Sequence, residues 1–146
     1  MKKVFNSLLL IPALIIVLFA SFNAFAKPNI SGDYHCKGYD PFTKANYEGG
    51  LKITLAKNTY QFVWDLDYKQ SRILFSGTGF VQGNQVSVAF ASNEDPKYAG
   101  IQLYKIMPDK SLTGKWAIIG KDITTTETCV PVQKADNSSD SKSSKE

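Results

Sequence analysis

Few side chains in this sequence are suited to chemistry, because it has one histidine, His35, and two cysteines, Cys36 and Cys129. His35 and Cys36 are adjacent, but neighbouring residues of a strand point to opposite faces, so they cannot act as a base and its thiolate. No serine or carboxylate pattern around His35 resembles a catalytic arrangement. We therefore expect no catalytic residue, no metal site and no cofactor, and a protein that is not an enzyme.

The two cysteines indicate a disulfide bond between the first and the last strand of a sheet. An exported protein normally pairs its thiols, and a bond between Cys36 and Cys129 would close the sheet into a barrel. In the loop-entropy model this bond would stabilise the fold by about 4–5 kcal/mol, because it closes a long loop. The alternative is a pair of reduced, buried cysteines.

Glu127 is the carboxylate whose surroundings can be argued from the sequence. It shares a strand face with Cys129, as Tyr34 does with Cys36, and the disulfide forces these two faces to coincide. If that face is the interior, Glu127 is buried and needs a partner or a raised pKa. It would then anchor the amine or hydroxyl of a ligand, or pair with a structural donor such as a tyrosine hydroxyl, which is the preferred interpretation. If the face is the exterior, Glu127 is an ordinary surface acid.

Alternating apolar and polar residues predict the strands that must position these groups. In the segment with Tyr60, Phe62 and Trp64, for example, every second residue is aromatic. Short connections rich in turn-forming residues predict that consecutive strands are antiparallel neighbours. The pattern predicts eight strands, over residues 32–37, 47–55, 59–67, 72–81, 85–91, 100–107, 112–119 and 123–132.

An even number of antiparallel strands brings the last strand beside the first. The predicted fold class is therefore all-β, an eight-stranded antiparallel up-and-down barrel with the architecture of lipocalins or avidin. Two longer connections, 39–46 and 92–99, each contain a proline and fall on the same rim, where we expect contacts with partners. The candidate rim contacts are Phe42, Lys44, Lys97 and Tyr98.

Aromatic residues on the predicted inner faces allow two interpretations of the barrel interior. Eight strands enclose a space that is filled by side chains or holds one small ligand. Large rings favour filling, so a packed core is the preferred interpretation and a ligand cavity is the alternative. The candidate ligand-binding residues are Tyr60, Phe62, Trp64, Trp116 and Glu127.

The two ends of the chain differ in composition from its middle. Lys2 and Lys3 precede an apolar run and an Ala-Phe-Ala cleavage signal, which predicts a signal peptide over residues 1–26. An uncleaved membrane anchor is the alternative. Residues 27–133 would form the barrel, and the polar residues 134–146 a disordered tail. We expect export to the periplasm or the medium, with no membrane span after cleavage.

The charge of the chain makes nucleic acid an unexpected partner. Without the leader, the sequence has 15 basic and 13 acidic residues, a net charge of +2. Arg72 is its only arginine, so bidentate phosphate contacts are not favoured. No basic patch is indicated.

Short motifs within residues 30–132 carry a resemblance to a protein family. They are Gly32-x-Tyr34, Tyr47-x-Gly49, Tyr60-x-Phe62-x-Trp64, Gly77-x-Gly79, Gly100-Ile101, Tyr104-Lys105-Ile106, Leu112-x-Gly114-x-Trp116 and Thr126-Glu127. In these motifs the chain resembles a group of small exported bacterial proteins of uncharacterised function, some of which are labelled fibronectin-binding protein. The resemblance implies a β-barrel.

A second resemblance is to the bacterial inhibitors of C-type lysozyme. The segment from Tyr34 to Cys36, together with Cys129, matches their early Tyr-x-Cys and late cysteine. Residues 76–80, Ser-Gly-Thr-Gly-Phe, are similar to their inhibitory Ser-Gly-x-x-Tyr segment, with Phe80 in place of the tyrosine and in a predicted mid-strand position.

These observations together predict an exported, non-enzymatic binding module. Its partner would be a small apolar ligand inside the barrel or an extracellular protein at the rim loops. The alternative is an adhesin or an inhibitor of a host enzyme such as lysozyme. This functional expectation relies on analogy between folds.

Overall fold

The computed structural model describes residues 28–68 and 71–133, and over these ranges the chain is all-β. Eight antiparallel strands pair in chain order, and the last pairs with the first, so the sheet is a closed barrel. The predicted fold class is confirmed. The strands are β1 (Gly32–Asp40), β2 (Ala45–Ala56), β3 (Thr59–Asp67), β4 (Arg72–Gln82), β5 (Gln85–Ser92), β6 (Ala99–Ile106), β7 (Leu112–Ile118) and β8 (Thr124–Pro131).

The largest difference from the predicted strands is at the first connection. The sequence predicts a loop over residues 39–46, but the β1–β2 ladder continues to the pair formed by Asp40 and Ala45, which leaves only residues 41–44 as a turn. Asp40 explains the tight turn, because its buried carboxylate accepts the backbone N–H of Phe42 at 2.8 Å. The prediction of a long first loop was wrong.

Connections alternate between the two ends of the barrel. Residues 41–44 and 93–98 share one end, as predicted, with the β3–β4 and β7–β8 connections; we call this end the loop rim. Phe42 on the first connection contacts Tyr98 on the other, edge to face, with ring centroids 6.2 Å apart. The two connections therefore form one continuous surface.

The opposite end is covered by the residues that precede β1. Ile30 is buried in the core, and its carbonyl accepts a hydrogen bond from the Tyr34 hydroxyl at 3.0 Å. The Tyr60 hydroxyl donates to the carbonyl of Pro28 at 3.4 Å. The barrel is thus closed at this end by its own chain.

The predicted disulfide is confirmed, and it lies inside the barrel. Cys36 and Cys129 are cross-strand neighbours of β1 and β8, their Cα atoms are 4.0 Å apart, and both are fully buried. The bond therefore joins the two strands at which the sheet closes.

Two sequence predictions fall outside this description. The signal peptide over residues 1–26 and the polar tail over residues 134–146 lie beyond the described residues. Within residues 28–68 and 71–133, no helix is long and apolar enough to cross a membrane.

Candidate functional site

Glu127 points into the barrel and is only 4% exposed. Strand β8 presents it on the inward face, two residues before the buried Cys129. Its Oε2 accepts a hydrogen bond from the Tyr47 hydroxyl at 2.9 Å, and its Oε1 accepts one from the Tyr104 hydroxyl. The carboxylate therefore has donors of the kind expected for an interior position.

Each of these tyrosine hydroxyls also accepts a hydrogen bond from an indole. Trp116 Nε1 donates to the Tyr47 hydroxyl at 2.8 Å. Trp64 Nε1 donates to the Tyr104 hydroxyl at 3.3 Å. Two chains of donors thus converge on Glu127, and we call these five residues the glutamate network.

Strand register explains how two large rings reach one carboxylate. Gly38 on β1 is the cross-strand neighbour of both Tyr47 and Glu127. On the other side, Gly114 on β7 is the neighbour of both Tyr104 and Glu127. Each tyrosine lies two strands away from Glu127, with a glycine between them. At Gly38 the Tyr47 ring and its hydroxyl occupy the place where a Cβ atom would be, so this ring crosses β1 to the carboxylate. At Gly114 the missing Cβ atom instead lets the backbone of Leu103 and Tyr104 on β6 approach β7 closely.

Burial governs the ionisation of the network. It raises the pKa of the Glu127 carboxyl, and the hydrogen bonds from Tyr104 and Tyr47 offset part of this rise. Burial and the nearby charge of Glu127 raise the pKa of both phenols far above the usual value of 10.0. The two tyrosines therefore remain protonated donors. The salt bridges in the described part of the chain are on the outer surface, and none involves Glu127.

A cavity of about 30 Å³ lies between the glutamate network and the loop rim. It has room for about two water molecules. Seven of its ten lining residues are aromatic, and the other three are Leu66, Gln102 and Glu127. The aromatic lining comprises Tyr47, Trp64 and Trp116 of the network and Tyr68, Phe75, Phe90 and Tyr98 nearer the rim.

Gln102 is the unusual polar residue of this lining. It lies on β6 opposite Trp116 and is 4% exposed. Its amide nitrogen has no hydrogen-bond partner among the described residues. It is the only buried side-chain nitrogen or oxygen in the described part of the chain for which this is so. A buried donor left unpaired costs about 1–3 kcal/mol. The cavity thus contains a donor that a bound acceptor would satisfy.

Three of the five candidate ligand-binding residues meet at the cavity, namely Trp64, Trp116 and Glu127. The other two do not line it. Phe62 is fully buried below Trp64, with stacked rings whose centroids are 5.5 Å apart, and Tyr60 lies at the closed end. The alternation pattern predicts the inward face correctly, but it does not say at which depth of the barrel a space remains.

The sequence analysis missed Tyr47, Tyr104 and Gln102. All three lie at inward positions of their strands, and alternation could have found Tyr47 as an interior residue. On β6 the pattern is misleading, because the apolar Ile101 and Leu103 on either side of Gln102 are exposed. The roles of the three missed residues depend on which residues are neighbours across strands, and that register is not visible in the pattern of one strand.

The four candidate rim contacts divide into two kinds. Phe42 and Tyr98 are half-buried and contact each other, and Tyr98 also contacts Phe75 at the mouth of the cavity. Burial, with the nearby Asp40, raises the pKa of Tyr98 to about 12, so its ring is neutral at the rim. By contrast, Lys44 and Lys97 are exposed.

Two other features carry no site. Cys36, Glu127 and Cys129 are close enough together to suggest metal ligands, but the two sulfurs are bonded to each other and neither is a thiolate. Residues 76–80 lie within β4 as predicted, with Phe80 exposed on the outer face of the barrel.

Comparison with models of known protein families gives no match, and comparison with curated proteins gives none either.

Proposed function

We propose that this protein is an exported binding module that takes a small molecule into the cavity at the loop rim. The main support for the proposal is the unpaired, buried amide nitrogen of Gln102. A buried amide donor without a partner lowers the stability of the free protein, and a ligand acceptor would remove that cost on binding. A lining of aromatic rings with a few polar groups is typical of small-molecule sites.

The size of the cavity limits what can enter it. A space for about two water molecules holds only a few non-hydrogen atoms. The rest of a larger ligand would lie between Tyr68 and Tyr98, which are half-buried at the rim. Because Gln102 offers a donor, a ligand with at least one acceptor suits this lining better than the purely apolar ligand expected from the sequence.

We propose binding rather than catalysis because of the state of the polar groups. Both oxygens of Glu127 already accept hydrogen bonds from tyrosines. Among the described residues that line the cavity there is no serine, threonine, cysteine, lysine or histidine. The lining therefore offers no activated nucleophile next to a base.

A fragment screen with a matched pair of variants tests the proposal. Wild-type protein with its disulfide intact is titrated with a library of small polar fragments, and binding is read from ligand-observed NMR and tryptophan fluorescence. Gln102→Leu should abolish binding of the cavity fragments and increase stability by about 1 kcal/mol. Gln82→Leu, at an exposed position of β4, should change neither. The proposal is wrong if no fragment binds the wild type, or if the fragments bind Gln102→Leu equally well.

A protein partner at the loop rim is the second candidate function. The contact between Phe42 and Tyr98 joins two connections into one surface, with Lys44 and Lys97 exposed on it. Surface plasmon resonance against immobilised fibronectin and C-type lysozyme tests the two partners that the resemblances imply. Replacing both lysines by glutamate should weaken such binding, mainly through a lower association rate. Unchanged binding would exclude the rim as the contact surface.

A further inference from the structure

We infer that the group bound in this cavity is the cationic head group of a small organic ammonium compound whose nitrogen carries alkyl groups. This inference rests on the proposed binding function and concerns the class of the ligand. Three features of the lining support it: a buried carboxylate, a cage of aromatic rings and an unpaired amide donor.

The carboxylate supplies the charge. Tyr47 and Tyr104 both donate to Glu127, an arrangement that suits an ionised carboxylate, which only accepts hydrogen bonds. No salt bridge in the described part of the chain reaches Glu127. A buried anion without a cationic partner is costly, so a cation in the adjacent cavity would favour the ionised form of Glu127 over the protonated one.

The rings select the kind of cation. Seven aromatic side chains line the cavity, and a cation over an aromatic face is attracted by the quadrupole of the ring. A primary ammonium group has three N–H donors, and ring faces accept hydrogen bonds poorly. An alkylated ammonium group has fewer donors or none, and its alkyl groups suit contact with aromatic rings.

The amide adds one requirement to the rest of the ligand. Gln102 Nε2 needs an acceptor, which a hydroxyl or carbonyl oxygen near the cation would supply. An alkylated ammonium group joined by a short chain to one oxygen meets all three conditions. The innermost alkyl groups of its head group would enter the cavity, and the remainder would extend toward Tyr68 and Tyr98.

Choline and its carbon isostere, in which a tert-butyl group replaces the trimethylammonium group, test the inference directly. The two molecules have nearly the same shape and differ in charge. Trp64 and Trp116 are the only tryptophans of the chain and both line the cavity, so their fluorescence reports on its occupancy. Isothermal titration calorimetry gives the affinities. We expect choline to bind at least about tenfold more tightly than the isostere, as a desolvated cation–π site requires.

Three variants assign the effect to the site. Glu127→Gln should remove the preference for choline, whereas Glu48→Gln, an exposed acid of β2, should keep it. Phe90→Leu removes one aromatic ring from the lining without changing the charge of the site. It should weaken the binding of choline more than the binding of the isostere. Phe90→Leu keeps the test decisive if Glu127→Gln does not fold.

The possible results distinguish a failure of the cationic inference from a failure of the proposed binding function. If the isostere binds as tightly as choline, the cationic inference is wrong and the binding function stands. If neither molecule binds but polar fragments bind in a Gln102-dependent manner, the cationic inference is again wrong alone. If choline, its isostere and all fragments fail to bind, both proposals are wrong.

Discussion

Gly38 lies opposite Tyr47 in the β1–β2 ladder, and the Tyr47 ring occupies the space that a side chain at Gly38 would need. A Cβ atom at Gly38 would overlap the Tyr47 hydroxyl, the group that donates to Glu127. The hydrogen bond between Tyr47 and Glu127 therefore depends on the absence of a side chain on the strand between them.

Gly38→Ala should accordingly destabilise the protein by about 1–3 kcal/mol, because the added methyl group displaces the Tyr47 ring. The matched control is Gly50→Ala on β2, where a Cβ atom would meet nothing within 4 Å. Urea denaturation of both variants measures the effect. Equal midpoints for the two variants would mean that the ring of Tyr47 adapts without cost.

The sequence predicts the barrel well because its two strongest signals can be recognised without knowing the strand register. Alternation of apolar residues identifies all eight strands, and the only two cysteines indicate where the sheet closes. The first loop was predicted too long because a proline is expected to lie outside a ladder, but Pro41 lies in the turn itself and the ladder continues to Asp40 and Ala45 on either side of it. Gly38, the first residue beyond the predicted strand, is also the one that leaves space for Tyr47 to reach Glu127.

The pH dependence of stability should report on Glu127. Burial raises its pKa in the folded state above the usual value of 4.5, so the folded protein binds this proton more tightly than the unfolded chain does. The contribution of Glu127 to the free energy of unfolding is thus most favourable below pH 4.5. It falls as the pH rises from there through the raised pKa.

Urea denaturation of wild type and Glu127→Gln across this pH range measures the contribution. The stability of the wild type relative to the variant should decrease as the pH rises, since the variant cannot ionise at this position. Glu94→Gln serves as the control, because Glu94 is exposed and takes part in none of the salt bridges of the described residues. A constant difference between wild type and Glu127→Gln would contradict the expected direction.

Tyr104 should be the most sensitive hydroxyl of the glutamate network. It is fully buried, accepts the indole N–H of Trp64 and donates to Glu127. Tyr104→Phe removes the hydroxyl, so that the Trp64 indole loses its acceptor and the Glu127 carboxylate loses a donor. We expect the free energy of unfolding to fall by about 2–4 kcal/mol. Tyr39→Phe, at a position 43% exposed, should change stability by less than about 0.5 kcal/mol. Thermal denaturation followed by circular dichroism compares them, and similar losses would show that the buried hydroxyl is dispensable.

Removing the disulfide should destabilise the barrel without changing its strand order. Replacement of both Cys36 and Cys129 by alanine should cost about 2–5 kcal/mol, as for native disulfides of small domains. Guanidinium denaturation with and without dithiothreitol measures this cost. The reductant should lower the wild-type midpoint toward that of the double variant and leave the variant unchanged. A reductant effect on the variant would point to a cause other than this bond.

The candidate site could be predicted in part. Glu127 was found because it lies two residues before Cys129 on the same strand, so the two side chains share one face. The disulfide then places that face beside the face of Tyr34 and Cys36. Gln102 and Tyr104 were missed because their importance comes from contacts across several strands. Whether a buried amide has a partner depends on the register of the strands and on the directions of the rings around it, and a single sequence specifies neither.

The closure of the barrel has a consequence for the order of folding. Seven of the eight ladders join strands that are consecutive in the chain, whereas β1 and β8 meet through residues 93 positions apart. Long-range contacts form late because they require the largest loss of chain entropy. Glu127 lies at this seam, so it leaves water only when β8 docks on β1. A chain that already carries the disulfide has β1 and β8 tethered, and the oxidised protein should therefore refold faster than the reduced one.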